Sequence, residues 1–435
     1  MTTSLQRLMM TDAHAQMVAG SLTPGAYAET LIANVAGGDP TLRAWVNFDA
    51  ARVRRLAAQL DLVHATARGP LHGVPVGVKD IIATSDLPTG MGTPVFAGHQ
   101  AGGDARCVAR IVDAGGYAFG KTVTTELAFM HPGPTTNPWN ARHTPGGSSS
   151  GSAAAVAAGH VPAAIGTQTN GSVIRPAAFC GIVGFKPTLG AIPFAGVNLF
   201  SATLDTIGTF TRSVADAARL ASAMADPGAI APAIVATGRP PRVAYLDGFP
   251  WVEVDCDSDD TLDAAATRMR LAGAEVVPVA LPEALHDAKR IQRTIMLFEA
   301  ASNLSALQQR ARARLSPVLN AALDEGRAIT AADYAHAQAS RLAMIATAVD
   351  WMANYDAVIS PPATGPAPEG LAETGDPACC TLWSLLGFPA ITIPVGRAGN
   401  ALPVGMQLAA PAGADDALLA VAAWCEGKLP FRGLV

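Results

Sequence analysis

Apolar positions in this chain follow two spacings that alternate along its length. Val53, Leu56, Ala57, Leu60 and Leu62 recur at helical spacing, and residues 3–66 read as helices with a loop at Ala36–Pro40, where Gly-Gly-Asp-Pro breaks the pattern. At Leu71 the texture turns β-prone: Gly73 to Val78 is short and apolar and ends on the charged pair Lys79 and Asp80. Ala105–Ala114 predicts a helix and Tyr117–Val123 the next strand, so helix and strand alternate, which favours an α/β sheet. Residues 226–242, with Pro227, Pro232, Pro240 and Pro241, predict a surface crossover before a strand at Val243–Leu246. Residues 258–355 read as mostly helical, with a strand at Glu275–Val279, and Tyr355–Ser360 and Ile391–Val395 are further strands. Ala378–Gly396 is uncharged and resembles a membrane span, but Pro389 and Pro394 interrupt it, so it reads as a buried helix followed by a buried strand.

One passage departs from this alternation. Between Thr144 and Ile174 there is no Asp, Glu, Lys or Arg, yet two Ser/Gly clusters flank a helix-compatible run at Ala153–Ala158. A surface linker normally carries charge. Uncharged Ser/Gly sequence beside small apolar residues predicts backbone packed in the interior, with hydroxyls that are either satisfied or used for chemistry.

Composition narrows the function. Of 435 residues, 50% are apolar, enough for a large core, and 30 basic against 35 acidic residues give a formal charge of −5 with no long basic run. That argues against nucleic acid or an anionic membrane as partner and favours a small molecule. The six cysteines form no CxxC pair and have no His at ligand spacing, so neither a metal site nor a disulfide framework is indicated and a reducing cytoplasm fits. The N-terminal residues lack the apolar core of a secretory signal.

Two short motifs match without their context. Gly115–Thr122 satisfies the P-loop pattern, but a helix precedes it and a strand runs through it, the reverse of what phosphate binding needs. Gly147 to Gly151 fits a nucleophile elbow with Ser149 as nucleophile, yet Ala141–Gly146 is not strand-like, and His160, His286 and His336 lack a loop-borne acid partner.

Three longer stretches agree with one another. Gly147-Ser-Ser-Ser-Gly-Ser-Ala153, Gly166-Thr-Gln-Thr-Asn-Gly-Ser-Val-Ile-Arg-Pro-Ala177 and Phe179 to Pro187 resemble the amidase signature. Gly73–Asp80 resembles that family's lysine-bearing strand, Asp205 to Asp216 its next landmark, and Gly387–Pro394 with Leu402–Leu408 its C-terminal strands. The resemblance implies one large α/β domain whose mixed, twisted central sheet carries helices on both sides. Within it, residues 1–66 would form an N-terminal helical layer, 67–222 the signature core, and 240–435 the part that completes the domain.

The resemblance also implies Ser172 as nucleophile, Ser148 as a relay serine on a cis peptide bond, and Lys79 as base. The chemistry is coherent on its own terms, because an alcohol attacks only when a base takes its proton, and lysine serves as base only when burial lowers its pKa. Backbone N–H groups of Thr169, Asn170, Gly171 and Ser172 would form the oxyanion hole, with Ser149 in support and no metal or organic cofactor required. Asp80, Glu126 and Asp205 are expected to be structural charges. Many members of the family carry Asp where this chain has Gln168, and Arg where it has Ile174, with Arg175 one place later. An Asp-to-Arg support pair is therefore expected to give way to another arrangement, with Gln168 making neutral hydrogen bonds.

The activity implied is hydrolysis of linear amides, carbamates or related acyl compounds. Two rivals stay open: the amidotransferase subunit that releases ammonia from glutamine with partner subunits, and a silent binding protein on the same fold. Segments Phe129–Trp139, Phe194–Ala202, Leu297–Leu307 and Ala378–Leu386 are expected to supply an apolar substrate pocket. The family resemblance also admits a homodimer.

Overall fold

Eleven strands join into one sheet in this computed structural model, which describes residues 5–434. In chain order they are β1 (Trp45–Asn47), β2 (Pro75–Lys79), β3 (Tyr117–Thr122), β4 (Ala163–Gln168), β5 (Val183–Lys186), β6 (Thr206–Thr211), β7 (Arg242–Tyr245), β8 (Glu275–Pro278), β9 (Ala357–Ser360), β10 (Ala390–Arg397) and β11 (Pro403–Ala409). Their order across the sheet is β1-β3-β2-β4-β6-β5-β10-β11-β9-β7-β8. β2 runs parallel to both β3 and β4, whereas β6, β5, β10, β11 and β9 pair antiparallel in succession. The sheet is thus mixed, and the chain folds as a single domain around it.

The two-residue period of the strands sorts the core. Val76, Val78, Ala163, Ile165, Val243, Ile359, Ile391 and Met406 enter one apolar layer, which the helices Arg106–Asp113, Val214–Met224, Cys256–Leu271 and Asp415–Lys428 cover. Their alternates face the other way. Phe119 and Ala164 pack against the N-terminal helices and Ser150–Ala157, while Ala244, Val358 and Ala409 pack against the helices Ala288–Asn303, Pro317–Ala328, Ala331–Met352 and Thr381–Leu386. Side chains from two layers meet where β2, β3 and β4 end, and the candidate site lies there.

Two expectations for the N-terminal segment are corrected. The helix Pro24–Leu42 runs through Ala36–Pro40 without a loop. Pro40 sits in its last turn, and the helix closes on Asp39, whose carbonyl accepts from Arg43 N at 2.7 Å and whose carboxylate accepts from Ala44 N at 2.8 Å. Gly38 marks a close approach instead of a break, because a Cβ there would stand 2.7 Å from His160 Nε2. Beyond this helix, β1 pairs with β3 where continued helix was expected, and three residues are too few for periodicity to reveal. Residues 3 and 4 of the expected helical stretch lie outside the described residues.

Elsewhere the elements fall close to their expected places. The helix Arg106–Asp113 precedes the P-loop-like residues, which continue into β3, and Lys121 Nζ there donates to Ile82 O at 2.5 Å and Thr89 Oγ1 at 2.7 Å. The uncharged C-terminal stretch forms the short helix Thr381–Leu386 and then β10, and no helix among the described residues is long and apolar enough to cross a membrane. All six cysteines are free, Cys256 exposed and the others buried.

Candidate active site

The carboxyl ends of three parallel strands bring the expected residues together. Lys79 is the last residue of β2, Ser148 lies in the segment between β3 and the helix Ser150–Ala157, and Thr169 to Ser172 follow β4 directly. Lys79 is wholly buried and its Nζ donates to Ser148 Oγ at 2.6 Å and to Thr167 Oγ1 at 2.9 Å. The Gly147–Ser148 peptide bond is cis. Burial lowers the Lys79 pKa from 10.5 to about 7, with the negative charge of Asp205 opposing the shift. A lysine near neutrality exchanges protons readily with the hydroxyl beside it.

Ser172 is half-buried and lines a cavity of about 710 Å³ together with Thr169, Asn170 and Gly171. Thr169 Oγ1 donates to Asp205 Oδ1 at 2.6 Å, and Asp205 Oδ2 accepts from the amides of Phe200 and Ser201. Burial raises the Asp205 pKa to about 6. Asp205 thus anchors the segment that carries Ser172, and it lies close enough to Lys79 to act on its charge. On the other side, Gly171 leaves room for Cys380, whose Sγ would stand 3.2 Å from a Cβ at that position.

Ser149 is turned away from the cavity. It is buried, donates to Thr167 O and accepts from Thr167 N, both at 3.3 Å, and so ties the Ser-rich turn to β4. No strand leads into it, so the nucleophile-elbow geometry is absent here.

Gln168 and Arg175 have separated. Gln168 Oε1 accepts from the amides of Val173 at 2.8 Å and Ile174 at 3.0 Å, and its Nε2 donates to Ser384 Oγ at 3.0 Å. Arg175 is 2% exposed and makes no ion pair among the described residues. Its guanidinium donates instead to Gly147 O at 2.6 Å and to Gly375 O, joining the peptide before Ser148 to a strap over residues 372–378. Burial pulls its pKa down to about 10.

The cavity wall differs in part from the expected segments. Phe129 to Pro132, Phe200, Ala378 and Thr381 contribute, as expected. The helix Ala288–Asn303 contributes Lys289, Gln292, Arg293 and Met296, the turns just before the expected Leu297–Leu307, because that helix points its earlier turns at the opening. The strap Ala372–Pro377 and Lys289 lie outside the expected segments, and the hydrogen bonds made by Thr167 and Ser384 were not expected. Phe129 and Phe200 stack with ring centroids 5.3 Å apart, giving one wall a flat aromatic surface.

A buried lysine near neutrality, a serine hydroxyl on its Nζ and a second serine on an open cavity thus lie at one end of a mixed α/β sheet. Residues 26–419 match the family model described as Amidase, and the chain belongs to that family. It is 33% identical to an acylamidase of Rhodococcus erythropolis, the alignment covering 98% of this chain and 97% of that protein. It is 32% identical to one of the subunits of the glutamyl-tRNA(Gln) amidotransferase of Symbiobacterium thermophilum, over 95% of this chain and 94% of that one. Native peptide amidase from Stenotrophomonas maltophilia superposes with a TM-score of 0.82 at 29% identity, covering 98% of each chain.

Proposed function

We propose that this protein hydrolyses the carbon–nitrogen bond of linear amides through an acyl-enzyme on Ser172, with Ser148 as proton relay and Lys79 as base. The observation that carries the reading is the 2.6 Å contact between Lys79 Nζ and Ser148 Oγ. When Lys79 is protonated, its ammonium donates to Ser148. Once it is neutral, the same pair reverses, and Ser148 gives its proton to Nζ as it takes one from Ser172. Ser172 Oγ then bonds to the substrate carbonyl carbon, and the negative charge moves to the carbonyl oxygen. Amides of Thr169, Asn170, Gly171 and Ser172 receive that charge, an effect worth about 3–4 kcal/mol per well-placed donor. Ser148 returns a proton to the leaving nitrogen as the C–N bond breaks, and water releases the acyl group by the same route.

The substrate is a small amide with an apolar or aryl group. Phe129, Phe200, Met296 and Val318 give the cavity apolar walls, and such walls suit apolar ligands held by few polar contacts. No cofactor enters this chemistry, and the six free thiols support a cytoplasmic location. Similarity to the amidotransferase component supports a second reading, glutamine hydrolysis on behalf of a partner. The apolar walls at Phe129, Phe200, Met296 and Val318 favour the first reading, since they leave much of glutamine's polar surface unmatched. Exposure to a fluorophosphonate followed by peptide mapping tests the mechanism. We expect one adduct on Ser172, lost in Lys79→Ala; an adduct on Ser149 would overturn the assignment.

A further inference from the structure

Gln168 is the last residue of β4, and its hydrogen bonds have a fixed direction. Oε1 accepts from two backbone amides, Val173 and Ile174, which cannot reverse. The amide group is therefore oriented, and Nε2 must face Ser384 Oγ, 3.0 Å away. A serine hydroxyl has one proton. Since Ser384 Oγ accepts from Gln168, that proton is free to go to Asn170 O, and the structure places it there. Thr381 Oγ1, one turn earlier on the same helix, donates to Asn170 Oδ1 at 3.0 Å. Gln168 and Ser384 are each nearly fully buried, so water offers no substitute partner.

We propose that Gln168 and Ser384 are positioning residues that set the oxyanion segment through this one-way chain of hydrogen bonds. The proposal rests on the assignment of Thr169 to Ser172 made above. Asp205 holds the segment at Thr169 from one side, and Ser384 and Thr381 hold it at Asn170 from the other. Between these anchors, the amides that receive the carbonyl charge are kept in place without a charged group beneath Asn170. Donor identity at residue 168 is what matters. A carboxylate there can only accept, and it competes with Asn170 O for the single Ser384 proton. An anionic acceptor wins that competition, so Asn170 loses its tether.

Gln168→Glu and Ser384→Ala test this in the full-length enzyme, with an aryl amide as the probe. Both variants keep the side-chain volume nearly unchanged. We expect kcat to fall ~10–100-fold while KM stays within about twofold, because substrate binding does not use the tether and charge development does. The pH profile separates this role from mere packing. In Gln168→Glu, the protonated carboxyl can donate to Ser384 as the amide does, so the ratio of variant to wild-type kcat is highest at low pH. It falls as the carboxyl ionises, at a pH that burial raises and that the amides of Val173 and Ile174, which donate to this side chain, lower. For Ser384→Ala the ratio is flat with pH.

Unchanged kcat in Ser384→Ala, or a pH-independent ratio in Gln168→Glu, would overturn the proposal. Ser172→Ala is measured alongside them. Turnover retained in that variant strikes at the acyl-enzyme assignment itself, whereas its loss together with an unaffected Ser384→Ala strikes only at the positioning role.

Discussion

Lys79 carries two consequences of one burial. With its pKa lowered to about 7, the amine is half neutral near physiological pH. The expected kcat/KM therefore rises with pH through about 7 and levels off above it, and Lys79→Ala should lose ~10⁴-fold or more of it. The same shift bears on stability. The unfolded chain holds the Lys79 proton up to its ordinary pKa of 10.5, whereas the folded chain releases it near 7, so the fold is penalised below this window and recovers as pH rises through it. Lys79→Met should be inactive yet melt ~2 °C or more above wild type at pH 7, with the gap closing toward pH 10. Calorimetry across that range checks the sign. Equal melting temperatures at pH 7 would contradict burial as the cause of the lowered pKa. At this scale the roles expected of Lys79, Ser148, Ser149 and Ser172 came from the resemblance of their motifs to a family, and the contact of Lys79 with Ser148 agrees with it. Thr167 and Ser384 are ordinary hydroxyl residues, and nothing local distinguishes them from any buried Thr or Ser.

Among the elements, the helix Ser150–Ala157 depends on one side-chain deletion. A Cβ on Gly151 would stand 2.3 Å from Ala44 O and 2.4 Å from Val123 N, both backbone atoms that cannot swing aside. Gly151→Ala should therefore push the helix off β3, costing ~2–3 kcal/mol and shifting Ser148 with it. A denaturant midpoint lowered with an unchanged slope, together with reduced labelling of Ser172, checks this. The charge-free run that includes this helix was legible because small residues without charge fit only where chain segments crowd together. Other elements were not legible, for physical reasons. Gly37, Gly38 and Pro40 read as a loop, but one glycine serves a neighbour's approach, and Pro40 in the last turn forfeits only its own bond to the Ala36 carbonyl while the rest of the helix continues past it. Ser384 meets Gln168 across 216 residues of sequence, and no local pattern encodes a contact of that separation. The strap over 372–378 is likewise placed by Arg175, which the shifted motif flagged as displaced without saying what it would reach.

For the whole molecule, the cavity decides between substrates. Amides bearing an aryl or branched apolar acyl group should be turned over by the isolated chain with kcat/KM at least ~100-fold above that for glutamine. Steady-state kinetics on purified protein settle the comparison, and glutaminase activity that appears only with a copurifying partner would favour the amidotransferase reading. The continuous sheet also unites the layers that hold the buried cysteines. Cys107 and Cys425 lie in the layer on one face, Cys379 and Cys380 in the layer on the other, and Cys256 alone meets solvent. A thiol reagent therefore counts one group in the native protein, and each further group that reacts reports the opening of the layer that hides it. Because Cys380 packs beneath Gly171, its modification times the lifting of the segment that carries Ser172. The chain carries a set of internal stopwatches, one of them set against the turn that carries Ser172.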